Sequence, residues 1–205
     1  GSISIGTGTA SGGDGGDITI KVGDGNTLDG GHISLFSGLT HADADSTGGS
    51  ISIRSGYSDI RSSGTIIIRT LDAGTVGVSG ELMFSTGTTS CGASGSISIG
   101  TGTASGGDGG DITIKVGDGN TLDGGHISVF AGKTDAKGDT GATGGSISIR
   151  SGFSTESSSG TIIIRTLNAG AKGVSGELMF STGITTCGGS GSISIGTGSA
   201  CNGDG

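Results

Sequence analysis

Residues 1–34 read GSISIGTGTASGGDGGDITIKVGDGNTLDGGHIS, and the same stretch returns unchanged at 95–128. Its first eight residues occur a third time, at 191–198. The long period is therefore 94 residues and then 96. Self-similarity at a fixed period predicts structural units stacked along one axis rather than a unique globular core. We expect one continuous array cut from a longer chain, with repeat 1 at 1–94, repeat 2 at 95–190 and the start of a third repeat at 191–205.

Within each long repeat, a six-residue motif with alternating large apolar side chains occurs six times. In repeat 1 the copies read SISIGT, DITIKV, HISLFS, SISIRS, TIIIRT and ELMFST, beginning at Ser2, Asp17, His32, Ser50, Thr65 and Glu81. The second and fourth positions are large and apolar in every copy. A period of two is typical of a β-strand with one buried face. We therefore predict an all-β fold, a β-solenoid (β-helix) of about 16 residues per rung and about 13 rungs, with six rungs per 94–96-residue repeat.

The segments between motifs, which we call links, run from the residue after the sixth motif position to the residue before the next motif. They contain mostly small and polar residues, as in GTASGGDGG at 8–16. Gly supplies the backbone freedom that tight corners need, so we expect the links to carry the chain around each coil. The links that end at Gly49 and Gly145 are longer and differ in sequence between the repeats, which predicts protruding loops.

The composition excludes several classes of protein. Gly contributes 50 of the 205 residues and Pro is absent, which excludes a helical protein and collagen. The net charge of −8 argues against binding nucleic acid or an anionic membrane through bulk charge. No apolar run approaches the length of about 18 residues that a membrane-spanning helix needs. We therefore expect no nucleic-acid partner and no membrane insertion.

The third and fifth motif positions predict a contact face, because strand side chains alternate between two sides. These positions carry most of the basic residues together with aromatic and apolar ones, a mixture typical of interaction surfaces. The alternative is that the basic side chains only keep an exposed sheet soluble. The predicted contact face comprises Lys21, Phe36, Arg54, Ile67, Arg69 and Met83, and in repeat 2 Lys115, Phe130, Arg150, Ile163, Arg165 and Met179.

Most acidic residues lie in the links, on a different side from the basic face. Such a chain is electrostatically self-complementary, so we expect lateral association with copies of itself. An acidic polysaccharide along the basic positions is the competing partner. Ice binding by outward Thr ranks is a further alternative, although the Thr-x-Thr pattern is broken between rungs.

The acidic, Gly-rich links also suggest that the chain binds calcium, because GGDGGDITI at 12–20 is similar to the nonapeptide of calcium-binding β-rolls. The match lacks the nine-residue period, and acidic residues that are simply solvated are the alternative. The candidate calcium ligands are Asp14, Asp24, Asp29, Asp108, Asp118 and Asp123. We expect no other cofactor.

The cysteines and histidines bear on redox state and catalysis. Cys187 and Cys201 occupy nearly the same place in adjacent predicted rungs, so we predict a disulfide between them if the protein is extracellular. Cys91 has no such neighbour, and three reduced thiols are the alternative. His32, His41 and His126 show no metal-ligand spacing, and near-perfect repetition argues against a unique cleft. We expect a protein that is not an enzyme.

Segments such as SGSISIGTGTASGGDGGDITI, GGSISIRSG and GVSGELMFSTGTT resemble the Gly/Ser/Thr-rich tandem-repeat proteins of diatoms and related algae, some of them secreted or on the cell surface. The resemblance covers the whole chain. It implies an extracellular or cell-surface location and a fibrous, structural or adhesive role. We therefore expect a segment of a structural fibre that stacks end to end and associates laterally, with a binding module for acidic polysaccharide or for ice as the alternative.

Overall fold

The computed structural model describes residues 1–41, 46–135 and 141–201. These residues form no helix and no β-strand, so the predictions of an all-β fold and of a β-solenoid are wrong. The chain divides into two compact units, Gly1–Gly100 and Thr101–Gly205. Each unit follows the same plan, in which motif residues run without a bend and the links reverse the chain.

Each link described from end to end contains a three-residue bend near its middle. The bends lie at 11–13, 26–28, 59–61, 75–77 and 90–92 in the first unit, and at 105–107, 120–122, 155–157, 171–173 and 186–188 in the second. Gly77, Gly92 and Gly188, the third residues of their bends, have φ values of 129°, 110° and 116°. Only Gly adopts this left-handed region readily, so Gly at these places permits the reversal. The two long links include residues outside the described ranges. The protruding loops predicted there therefore extend outside the part of the chain that the structure describes.

The Gly that ends each link lies against the sixth-position side chain of the preceding motif. A Cβ atom built on this Gly would lie 3.0–3.5 Å from that side chain in all twelve links. In six links the same Gly also donates its N–H to the carbonyl oxygen of the Gly after the sixth position, over 2.7–3.1 Å. We call this junction the neck of the link. The necks bonded in this way join Gly31 to Gly23, Gly49 to Gly38, Gly64 to Gly56, Gly125 to Gly117, Gly145 to Gly132 and Gly160 to Gly152.

The necks explain why the solenoid prediction fails. A solenoid pairs equivalent positions of successive rungs through continuous backbone ladders. Here the closing contacts join the two ends of one link, as between Val22 and Gly31. Among the motif residues and the links described from end to end, the backbone hydrogen bonds are those at the necks and one between Gly173 and Gly170. The motif residues therefore have no ladder, although their side-chain alternation is that of strands.

No described residue is buried, and large apolar side chains are exposed throughout. Of the two alternating apolar positions, the second is better covered than the fourth, at 46–56% exposure in every motif after the first. Ile3 is 93% exposed, whereas its copy Ile97, which has a preceding motif in the same unit, is 55% exposed. About half of the second-position side chain is therefore covered in every motif after the first.

The accessible surface gives the scale of this exposure. It amounts to 20530 Å², whereas a compact monomer of 19.3 kDa exposes about 8,500 Å² and an unfolded chain of that mass about 28,000 Å². The surface left open is thus closer to that of an unfolded chain. The local necks order the links without producing a core.

Candidate association surface

The predicted contact face is exposed in both units. Phe36 and Phe130 are almost fully exposed, and Ile67, Met83 and their copies remain largely open. These residues come from motifs separated by links, and the structure does not enclose them in a pocket anywhere in the ranges it describes. The face is therefore an open surface rather than a cleft.

The basic residues of the face fall into two groups. Lys21 Nζ lies 3.5 Å from Asp24 Oδ2, and the copy of this ion pair joins Lys115 to Asp118 over 3.7 Å. Both partners are exposed, so these pairs contribute little to stability. The fifth-position arginines, in contrast, have no ionic partner among the described residues: Arg54, Arg69, Arg150 and Arg165.

The last two motifs of each repeat differ from the other four. Residues 65–70 and 81–86 carry large apolar side chains at the second, third and fourth positions, whereas the other motifs have Ser or Thr at the third. Ile67 is 76% exposed and Met83 69% exposed at this third position. Two neighbouring motifs therefore have apolar side chains on both sides.

Opposite charges flank these third-position side chains. Arg69 is at the fifth position of its motif and Glu81 at the first position of the next, and neither forms an ion pair among the described residues. We call Ile67 and Met83 the apolar patch, and Arg69 and Glu81, each two residues away in the sequence, its flanking charges. The second unit repeats the patch as Ile163 and Met179 and the flanking charges as Arg165 and Glu177.

The end-of-link glycines are the structural residues that our sequence reasoning missed. A signal was available, because a Gly stands immediately before every motif, from Gly1 to Gly191. The third-position apolar side chains were predicted as contact residues, but not as parts of two-sided motifs. The difference matters because a motif with apolar side chains on both sides needs a neighbour on each side to cover them, and a single neighbouring motif leaves one side exposed.

The candidate calcium ligands do not converge. The described residues include no group of three or more His, Cys, Asp or Glu side chains that could hold a metal ion. Asp24 and Asp118 instead contact the lysines three positions earlier in the chain. Calcium binding therefore stays a prediction from the sequence.

Cys91, Cys187 and Cys201 are free and exposed thiols, so the structure does not contain the predicted bridge between Cys187 and Cys201. Cys91 and Cys187 occupy matching bends, where the hydroxyls of Thr89 and Thr185 donate to their carbonyl oxygens over 3.0 and 3.1 Å. The disulfide stays a prediction for the oxidised protein.

No helix long and apolar enough to cross a membrane occurs in the described ranges. No family model matches the chain, and neither a curated protein nor a solved structure is significantly similar to it.

Proposed function

We propose that this chain is a structural segment that assembles with copies of itself, as part of extracellular fibrous material. The observation that carries the proposal is the large apolar surface left open in both units. Exposed apolar areas of this extent mark surfaces that associate with something. A standard interface takes about 800 Å² per partner, which is small against the surplus over a compact monomer.

The repetition favours a copy of the chain as the partner. Because the two long repeats present the same apolar positions, any patch that associates is present at least twice per chain. Two sites on one chain act together and allow growth beyond a closed dimer. This is the behaviour that a structural material requires.

An acidic polysaccharide is the second candidate partner, favoured by the four arginines that have no ionic partner among the described residues. In this case the protein is a binding module, and its assembly depends on the added sugar. The two candidates differ in what the purified chain does alone.

Sedimentation velocity of the purified chain over a range of concentrations tests the proposal. We expect species larger than a monomer that grow with concentration, in the absence of any polysaccharide. Parallel runs with calcium and with a chelator test whether the acidic links take part. A monomer at every concentration would overturn self-assembly, and large species only after addition of an acidic polysaccharide would favour the binding module.

A further inference from the structure

We infer that two copies of this chain dock through the apolar patch, with Ile67 and Met83 of one copy against those of the other. The inference rests on the proposed self-assembly and assigns it to one surface. The second unit presents the equivalent patch around Ile163 and Met179. Each chain therefore has two docking places, one in each compact unit.

The apolar side chains of the patch occupy the third motif position. Four of the six motifs in each repeat have Ser or Thr there, which suits a side facing water. Ile67 and Met83 break this rule and remain mostly exposed. Their second-position neighbours, Ile66 and Leu82, are better covered, at 48% exposure each. The patch therefore lies on a side that the chain itself leaves open.

The charges beside the patch favour a second copy of the chain as its occupant. Arg69 and Glu81 flank the same patch and are both without an ionic partner in the described ranges. When two identical patches meet about a twofold axis, a residue that lies off the axis faces a different residue of the other copy. Arg69 of each copy can then approach Glu81 of the other, so that two patches of equal composition are complementary in charge.

The first test removes the apolar contact. I67S/I163S restores the Ser that most other motifs carry at this position, so it suits the local backbone. L28S/L122S is the matched control, because Leu28 and its copy are equally apolar and more exposed but lie in the links. We expect I67S/I163S to raise the concentration for half-association at least about tenfold, and L28S/L122S to leave it within about twofold.

The second test addresses the crosswise charges. R69E/R165E and E81R/E177R should each associate poorly alone and regain association when mixed. Each substitution changes the charge by two, so the variants carry −12 and −4 and both remain acidic. Bulk attraction between them therefore does not explain a rescue. K21E/K115E, with the same charge as R69E/R165E, is the control, because mixing it with E81R/E177R should not restore the association that E81R/E177R lacks.

The outcomes separate the inference from the proposed function. If the native chain associates but I67S/I163S associates as strongly, the patch is wrong and self-assembly stands. If mixing restores nothing, the crosswise pairing is wrong. If the native chain is a monomer at every concentration, both the patch and the proposed function are overturned.

Discussion

The Thr7 hydroxyl donates a hydrogen bond of 2.8 Å to the carbonyl oxygen of Gly16, and the same bond joins Thr101 to Gly110 over 3.0 Å. Gly16 also lies so close that a Cβ built on it would be 3.0 Å from the Thr7 Cβ. Because Thr7 ends a motif and Gly16 precedes the next, this pair closes a complete link. Links that follow a motif with Val, Ser or Ala at its sixth position close instead through a backbone hydrogen bond between two glycines.

This contrast predicts the effect of T7V/T101V. The substitution removes the hydroxyl and keeps the branched Cβ, and Val is the residue that Val22 already provides at a backbone-bonded neck. We expect the Gly16 amide to gain protection from hydrogen exchange by bonding to Gly8, as the Gly31 amide bonds to Gly23. The measurement is residue-specific exchange by NMR, with T9V as the control. An unchanged Gly16 amide would show that the hydroxyl is not what selects the mode of closure.

Gly25 and Gly119 should not tolerate a side chain. A Cβ on Gly25 would overlap the carbonyl oxygen of Leu28 and lie 2.5 Å from that of Asp29, and Gly119 is equally crowded. We expect G25A/G119A to destabilise these links by about 1–3 kcal/mol, as overpacking does. Faster exchange of the Gly31 and Gly125 amides measures the effect. G23A/G117A is the control in the same links, because nothing lies within 4 Å of a Cβ there; equal exchange in both variants would contradict the prediction.

Hydrogen exchange of the unassociated chain should be protected mainly at the necks. Gly31, Gly49 and Gly64 donate backbone bonds, whereas the motif residues within the described ranges have no ladder. We therefore expect these glycine amides to exchange more slowly than those of Ile66 and Ile68 at concentrations below the onset of association. Protection of the motif amides above that of the necks, in a monomer, would indicate strands instead.

The thiols should react without unfolding. Cys91, Cys187 and Cys201 are all exposed, so a thiol reagent should modify three groups per chain without denaturant and without a lag. A denatured sample gives the reference count. After mild oxidation, peptide mapping tests the pairing of Cys187 with Cys201, which the sequence predicts. Fewer than three reactive thiols in the reduced native chain would contradict the exposure of these residues.

The order of residues along each motif could be read from the sequence, including the fifth-position places of Lys21, Phe36 and Arg54. The exposure of these side chains does not distinguish a contact face, because no described residue is buried. The neighbours of these side chains could not be predicted, because they depend on which segments lie beside one another. Lys21 pairs with Asp24 through proximity in the chain, whereas Arg69 and Glu81 have no ionic partner among the described residues.

By itself, the sequence determined the repeat lengths, the motif with two apolar positions and the separation of motifs from Gly-rich links. It also excluded collagen and an extensive helical fold. Only the tertiary structure decided that each link closes at its own neck and that the motifs, where described, form no strands. The physical reason is that periodicity orders the side chains but does not choose hydrogen-bond partners for the backbone. Among near-identical, Gly-rich repeats many registers are similar in energy, so the local pairing of Val22 with Gly31 could not be distinguished in advance from a ladder between rungs.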